Sequence, residues 1–290
     1  MAMDAKKYLL ILAMVSLSAG LFAQGEKPQN IYRVTVNSRY VIENGERTSK
    51  YFAIGQLISD SLGRLHTEID YNWETRYPDN YRWHYFDGQT KVKTDFFVKE
   101  QLRHFKVFEY SNEMLSALSV HTVNNGDTAL LVREEYTYDD AGNRTRTTGY
   151  NKDGKRGFTT RHRYDEHNTE IERKVRGRSA VPSDSIMQLK RVVEYDSLDR
   201  IISERVDVQK YGASNKSVHT LYKYDENNNV IEETVKDINS NTTYRKEYIY
   251  RRDNRKQGLR VYDSQDNLVD YQAWRYEIYR TANRTHRVFE

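Results

Sequence analysis

The sequence predicts an all-β protein: an elongated, curled antiparallel β-meander of about eight hairpin repeats, single-layered or partly shell-like. Three observations carry that expectation. A tyrosine-aspartate turn motif recurs along most of the chain, β-forming residues alternate between its copies, and helix signals are nearly absent beyond the N-terminal segment. Composition agrees with a thin structure. Mean hydropathy is −0.91 and 37% of the 290 residues are hydrophobic, little for one thick core, yet 24 are tyrosine. A tyrosine ring can cover a half-wet sheet while its hydroxyl keeps a polar partner.

The first element is an export signal. Lys6 and Lys7 precede an apolar run from Tyr8 to Val15, followed by Ser16, Ser18, Ala19 and Gly20 and a cleavage site after Ala23. The run is shorter than the about 20 residues that span a bilayer as a helix, so residues 1–23 are expected to be a signal peptide. The mature chain is then exported: periplasmic, cell-surface or secreted. Residues 24–53 are expected to form an N-terminal capping hairpin turning at Asn44 and Gly45, and residues 54–290 the repeat sheet. With no cysteine, disulfides, thiol catalysis and thiolate metal sites are excluded.

The clearest repeats begin at Tyr138-Asp139, Tyr164-Asp165, Tyr195-Asp196 and Tyr224-Asp225, with looser copies at Tyr85, Tyr110 and Tyr250 and one at Ser59. They recur every 25 to 31 residues. Each copy reads as strand, tight turn, strand, because Asp, Asn and Gly suit turn geometry and positive φ. Second turns at Asn124 to Asp127, Asn151 to Gly154 and Asp237 to Asn241 lead to the next copy, giving roughly sixteen to eighteen strands. Even Glu113 to Ser119, the most helix-like stretch, falls on a turn and outgoing strand in this register. Pro28, Pro78 and Pro182 fall outside strand cores.

Period-2 alternation assigns the faces. Val218, Thr220, Tyr222 and Tyr224 share one side and His219, Leu221 and Lys223 the other, so tyrosines, including Tyr136, Tyr138, Tyr248, Tyr250 and Tyr271, are expected to ladder down one face. Arg161, Arg163, Lys190 and Glu194 on the opposite face argue against a lipid-facing wall. Net charge is +4, and both signs are mixed along the chain rather than gathered into patches, which argues against nucleic-acid binding.

The runs YDDAGNRT, YDSLDRII, SDSLGRLH and YDENNNVI resemble the YD repeats of RHS-type proteins over most of residues 55–270. Gly63 and Gly142 keep the glycine of that pattern, while Asn168, Asp199 and Asn228 replace it. The resemblance implies antiparallel strands winding into shells or spiralling sheets, but the chain looks too short for a closed shell and shows no self-cleavage core or toxin domain. GYNKDGKRG at Gly149 to Gly157 is similar to a MORN-type repeat. Neither resemblance implies an activity.

No enzyme motif appears, and no cofactor is expected. His162 and His167 with Asp165 and Glu166 lack a third metal ligand and read as exposed repeat residues. The DDAGN, DENNN and DSQDN turns lack a full calcium-ligand set. The feature with most binding character is the aromatic group Tyr71, Trp73, Tyr77, Tyr81, Trp83 and Tyr85, together with the distant Trp274, suited to stacking on a glycan or anchoring a protein; packing as an end cap is the competing explanation. The expectation is a non-enzymatic scaffold binding a protein or glycan partner, with a glycan-active or toxin-related component and a purely structural envelope protein as alternatives. Self-association through unpaired end strands belongs to the last of these.

Overall fold

The computed structural model describes residues 31–72, 74–177 and 186–280. These form eighteen strands: β1 (Ile31–Glu43), β2 (Glu46–Asp60), β3 (Leu65–Tyr71), β4 (Pro78–Asp87), β5 (Thr90–Val98), β6 (Gln101–Ser111), β7 (Met114–Asn124), β8 (Asp127–Tyr138), β9 (Arg144–Tyr150), β10 (Arg156–Tyr164), β11 (Glu170–Gly177), β12 (Ile186–Tyr195), β13 (Ile201–Lys210), β14 (Lys216–Tyr224), β15 (Val230–Asp237), β16 (Thr242–Tyr250), β17 (Lys256–Tyr262) and β18 (Leu268–Arg280). Each pairs antiparallel with its sequence neighbours, and β1 also pairs with β18, from Ile31 opposite Arg280 to Arg39 opposite Gln272. The sheet is therefore a closed barrel. The open meander of eight hairpins is overturned by that one ladder. Turn signals define neighbouring pairs only, whereas closure joins residues more than 230 positions apart. β1 and β2 pair as a hairpin around Asn44 and Gly45, and β1 also seals the barrel. Closure also removes the free edges on which end-strand assembly depended.

The repeat turn explains why the hairpins form. In the turn after β14, Asp225 Oδ1 accepts the backbone N–H groups of Asn227 (2.9 Å) and Asn229 (2.8 Å). The Asp225 N–H donates to the Asn229 carbonyl (2.9 Å) and that of Asn228 to the Asp225 carbonyl (3.1 Å). The same aspartate bonds recur at Asp165 and Asp196. This geometry needs positive φ at the fourth residue. Gly63 (80°) and Gly142 (83°) supply it, and so do Asn168 (59°), Asp199 (57°) and Asn228 (63°). Asn and Asp tolerate that region because their short polar side chains bond locally.

The repeat tyrosine has a separate task. It sits beside a register shift in the ladder at Tyr110, Tyr138, Tyr164, Tyr195, Tyr224 and Tyr250. From there its hydroxyl reaches back across the strand pair. Tyr138 donates to the Leu115 carbonyl (2.7 Å), Tyr164 to Arg144 (3.1 Å), Tyr224 to Ile201 (2.7 Å), Tyr250 to Val230 (3.0 Å) and Tyr110 to Lys91 (3.0 Å). Tyr195 instead reaches Asp165 Oδ2 (2.8 Å) and Thr169 Oγ1 (2.7 Å). The residue closing one turn also bonds to the next turn: Asn143 to Asn168 (2.8 Å), Arg200 to Asn228 (2.8 Å) and Asn229 to Asn254 (3.4 Å). Aspartate thus shapes a turn, while tyrosine and the closing residue staple successive turns along one rim.

The wall has two faces. Glu134, Phe158, Thr160, His162, Arg173, Leu189, Thr220, Tyr222 and Glu233 follow one register, the tyrosine face. Over β8–β16 that face carries the buried side chains, among them Val132, Tyr136, Thr147, Phe158, Thr160, Leu189, Thr220 and Val235. Such crowding marks it as the concave, lumenal side. A small apolar cluster of Val120, Val132 and Phe158 lies there with Leu131 and Val175 against it. Phe158 lies over Gly149, which stands directly opposite on β9, where an added Cβ would come within 1.9 Å of the ring. One expected ladder member is misplaced. Tyr271 pairs with Arg260, itself opposite Glu247, and so faces outward, packing edge-on to Tyr40 at 5.2 Å under Arg47.

Candidate functional site

The aromatic group near the N-terminal end is partly assembled. Tyr81, Trp83 and Tyr85 share one face of β4, opposite Phe97, Asp95 and Lys93 of β5. Trp83 and Tyr81 lie 4.8 and 5.6 Å from Phe97, and Phe105 stacks on His121 at 4.7 Å with planes 3° apart. Tyr85 donates to Asp95 Oδ2 (2.9 Å), and Lys93 lies 5.2 Å from the Tyr85 ring and 5.0 Å from the Phe105 ring. Burial, then the Asp95 carboxylate, pushes the Tyr85 hydroxyl pKa well up. Tyr71 donates to Gln56 Oε1 (2.8 Å), and Tyr77 is exposed on the turn before β4. Trp73 lies outside the described residues. Trp274 is on β18 opposite Asn37, far in sequence from the group. The half-buried rings of β4–β7 therefore spend their surface on one another.

On the lumenal face, a recess of about 140 Å³ is lined by Glu134, Phe158, Thr160, His162, Arg173 and their neighbours. His162 is not an exposed repeat residue as expected; its side chain is 3% exposed and its Nδ1 contacts Glu170 Oε1. Arg173 donates to both Glu170 oxygens, at 3.0 and 2.6 Å. Burial pushes the Glu170 carboxyl up, but the bonds from His162 and Arg173 more than offset it and hold the pKa at about 2. Other lumenal carboxylates are similarly engaged. Glu204 accepts from Tyr222 (2.8 Å) and faces Arg191 Nε at 2.7 Å, and Glu233 accepts from Tyr248 and Lys246, both at 2.8 Å. Among the described residues no group of three His, Asp or Glu side chains is placed to hold a metal ion.

The outward face of β9–β12 departs from the mixed charge read along the sequence. Arg146, Arg161 and Lys174 stand directly opposite one another on three successive strands. Arg176 lies two residues from Lys174 on the same face of β11, while Arg163 and Lys190 flank Glu172. These six cations are exposed. Sequence inspection missed the group because its members are separated by turns and neutral residues; only the register of β9, β10 and β11 brings them together.

No protein-family model matches the sequence, and no curated protein matches it. Among solved structures, a porin-like protein from Bacteroides uniformis is 9% identical with a TM-score of 0.40, covering 87% of this chain and 98% of its own. A porin-like protein from Bacteroides vulgatus is 12% identical with a TM-score of 0.32, covering 84% and 97%. A TcdB2-TccC3 structure without its hypervariable C-terminal region is 13% identical with a TM-score of 0.28, covering 76% of this chain; the chain spans 16% of that structure. With TM-scores below 0.5, neither fold nor function is taken from them, and the closed barrel rests on its own strand pairing. The YD resemblance likewise rests on the turn residues described above. The MORN-type likeness finds no support: Gly149 to Gly157 is simply the end of β9, a turn and the start of β10.

Proposed function

We propose that this chain is an exported, hollow β-barrel, wetted on both faces, that works as a non-enzymatic binding scaffold in the bacterial envelope. The observation that carries this reading is charge in the middle of strands on both sides of the wall. Arg161, Lys174, Lys190 and Arg205 project outward, and Glu134, Arg173, Glu204 and Glu233 project into the lumen. A lipid-facing barrel presents an outward apolar band about 25 Å tall, and a Lys or Arg at the bilayer midplane costs about 2–4 kcal/mol. Several such residues side by side favour water on this face.

A binding role accords with the chemistry of the lumen, where Glu170, Glu204 and Glu233 already have basic and hydroxyl partners. The signal-like N-terminal segment supplies export. The aromatic group of β4–β7 shares the outward register of Arg133 and packs on itself there, which leaves the charged outward face of β9–β12 for contact with a partner. The test is fractionation of the full chain expressed in a Gram-negative host. A processed product that stays monodisperse without detergent supports the reading. Recovery only in a carbonate-resistant membrane pellet, with solubility requiring detergent, would overturn it.

A further inference from the structure

We infer that the outward face of β9–β12 is a binding surface for an acidic polysaccharide, gripped by Arg146, Arg161 and Arg176 with Lys174 and Lys190 beside them. The register carries the argument. Arg146, Arg161 and Lys174 occupy directly opposed positions on β9, β10 and β11, where Cβ atoms are about 4.5–5.5 Å apart and like charges repel. A sheet can relieve such a row with acidic neighbours. Here Glu172 does so for Lys174 at 2.9 Å and for neighbouring Arg163 at 3.6 Å, Asp207 stands opposite Lys190, and Glu135, opposite Thr148, is engaged by Arg133. Arg146, Arg161 and Arg176 have no ion-pair partner among the described residues. Three exposed guanidinium groups on one face, without a counter-charge among the described residues, are complementary to an external polyanion.

The chemistry of the surroundings narrows that polyanion. Guanidinium forks favour carboxylate, sulfate or phosphate oxygens in bidentate contacts. Thr148 and Thr159, opposite one another in the next row, add hydroxyls suited to the neutral oxygens of a sugar. Single-stranded nucleic acid is held by aromatic platforms interleaved with cations, and rows Thr148-Thr159-Arg176 and Arg146-Arg161-Lys174 contain no aromatic residue. The choice of a polysaccharide among non-nucleic polyanions rests on the exported, water-facing reading above.

The experiment uses the exported full chain and three probes: heparin, polygalacturonate and single-stranded DNA. Binding is measured by affinity electrophoresis and by salt elution. The variant R146Q/R161Q/R176Q is compared with K99Q/K236Q/R252Q, which removes the same charge elsewhere. Both polysaccharides are expected to retain the parent and the control, with affinity falling about tenfold in the patch variant near physiological ionic strength. Removing the repelling row should leave the melting temperature unchanged or raised, so lost binding cannot be ascribed to unfolding. Equal retention of the two variants overturns the inference, and so does DNA binding that matches or exceeds polygalacturonate binding. A barrel soluble without detergent that fails this test loses the surface but keeps the scaffold reading, whereas a detergent-dependent barrel loses the scaffold reading itself.

Discussion

Glu170 provides the most direct test of the lumenal ion network. Its carboxyl sits 15% exposed between His162 and Arg173, with a pKa lowered from 4.5 to about 2. A carboxylate whose pKa falls on folding stabilises the folded state above its unfolded pKa, and that contribution disappears as pH falls through the folded value. At 1.36 kcal/mol per pKa unit, the shift corresponds to about 3 kcal/mol, fully present at neutral pH and lost between roughly pH 4.5 and pH 2. Glu170→Gln keeps the shape and a neutral acceptor but removes the charge. It should destabilise the barrel by about 2–3 kcal/mol at pH 7, since Arg173 can turn to water while His162 cannot. The assay is urea unfolding followed by circular dichroism from pH 7 to pH 2, on parent and variant in parallel. The stability gap should narrow as the parent's carboxylate becomes protonated. A gap that is absent at pH 7, or equally large at both ends, would refute the assignment of that stability to charge at Glu170.

Two further substitutions test the wall. Tyr224→Phe removes the hydroxyl that donates to the Ile201 carbonyl, and should cost about 1 kcal/mol in unfolding experiments while adding early hydrogen exchange at the two turns it joins; exchange unchanged at both turns would show that the tyrosine acts only by packing. Gly149→Ala places a methyl group on the Phe158 ring and should lower stability by about 1–3 kcal/mol, with Phe158→Leu in the same chain recovering part of the loss.

Local features of the fold were legible in the sequence, and closure was not. The turns could be read because the bonds that shape each one, such as those among Asp225, Asn228 and Asn229, lie within five residues, so composition alone names them. The alternation of Thr220 and Tyr222 against His219 and Leu221 is likewise a local property of the pleat. The β1–β18 ladder has no such signature, since backbone groups pair whatever their side chains. Tyr271 was assigned to the wrong face because period-2 counting fails across a register shift, and β17 and β18 carry one at Val261 and Tyr262. The site residues divide in the same way. Tyr81, Trp83 and Tyr85 alternate along one strand and were visible, while the link between His162 and Glu170 crosses a repeat turn and that between Arg146 and Arg161 crosses a hairpin.

This division bears on how the barrel can carry a function. In the clearest repeats the recurring residues are consumed by the architecture: the aspartate by its own turn, the tyrosine by the preceding strand or turn, and the closing residue, at three turns, by the following turn. None of these bonds involves the mid-strand outward positions. At those positions the wall asks only for a residue that tolerates a pleated, wetted surface, so their identity can vary without loosening a turn. Arg146, Arg161 and Lys174 occupy three of them in one row, where an arrangement chosen for stability would alternate charge. A row that the fold does not need, and that costs it repulsion, is best explained by what binds there.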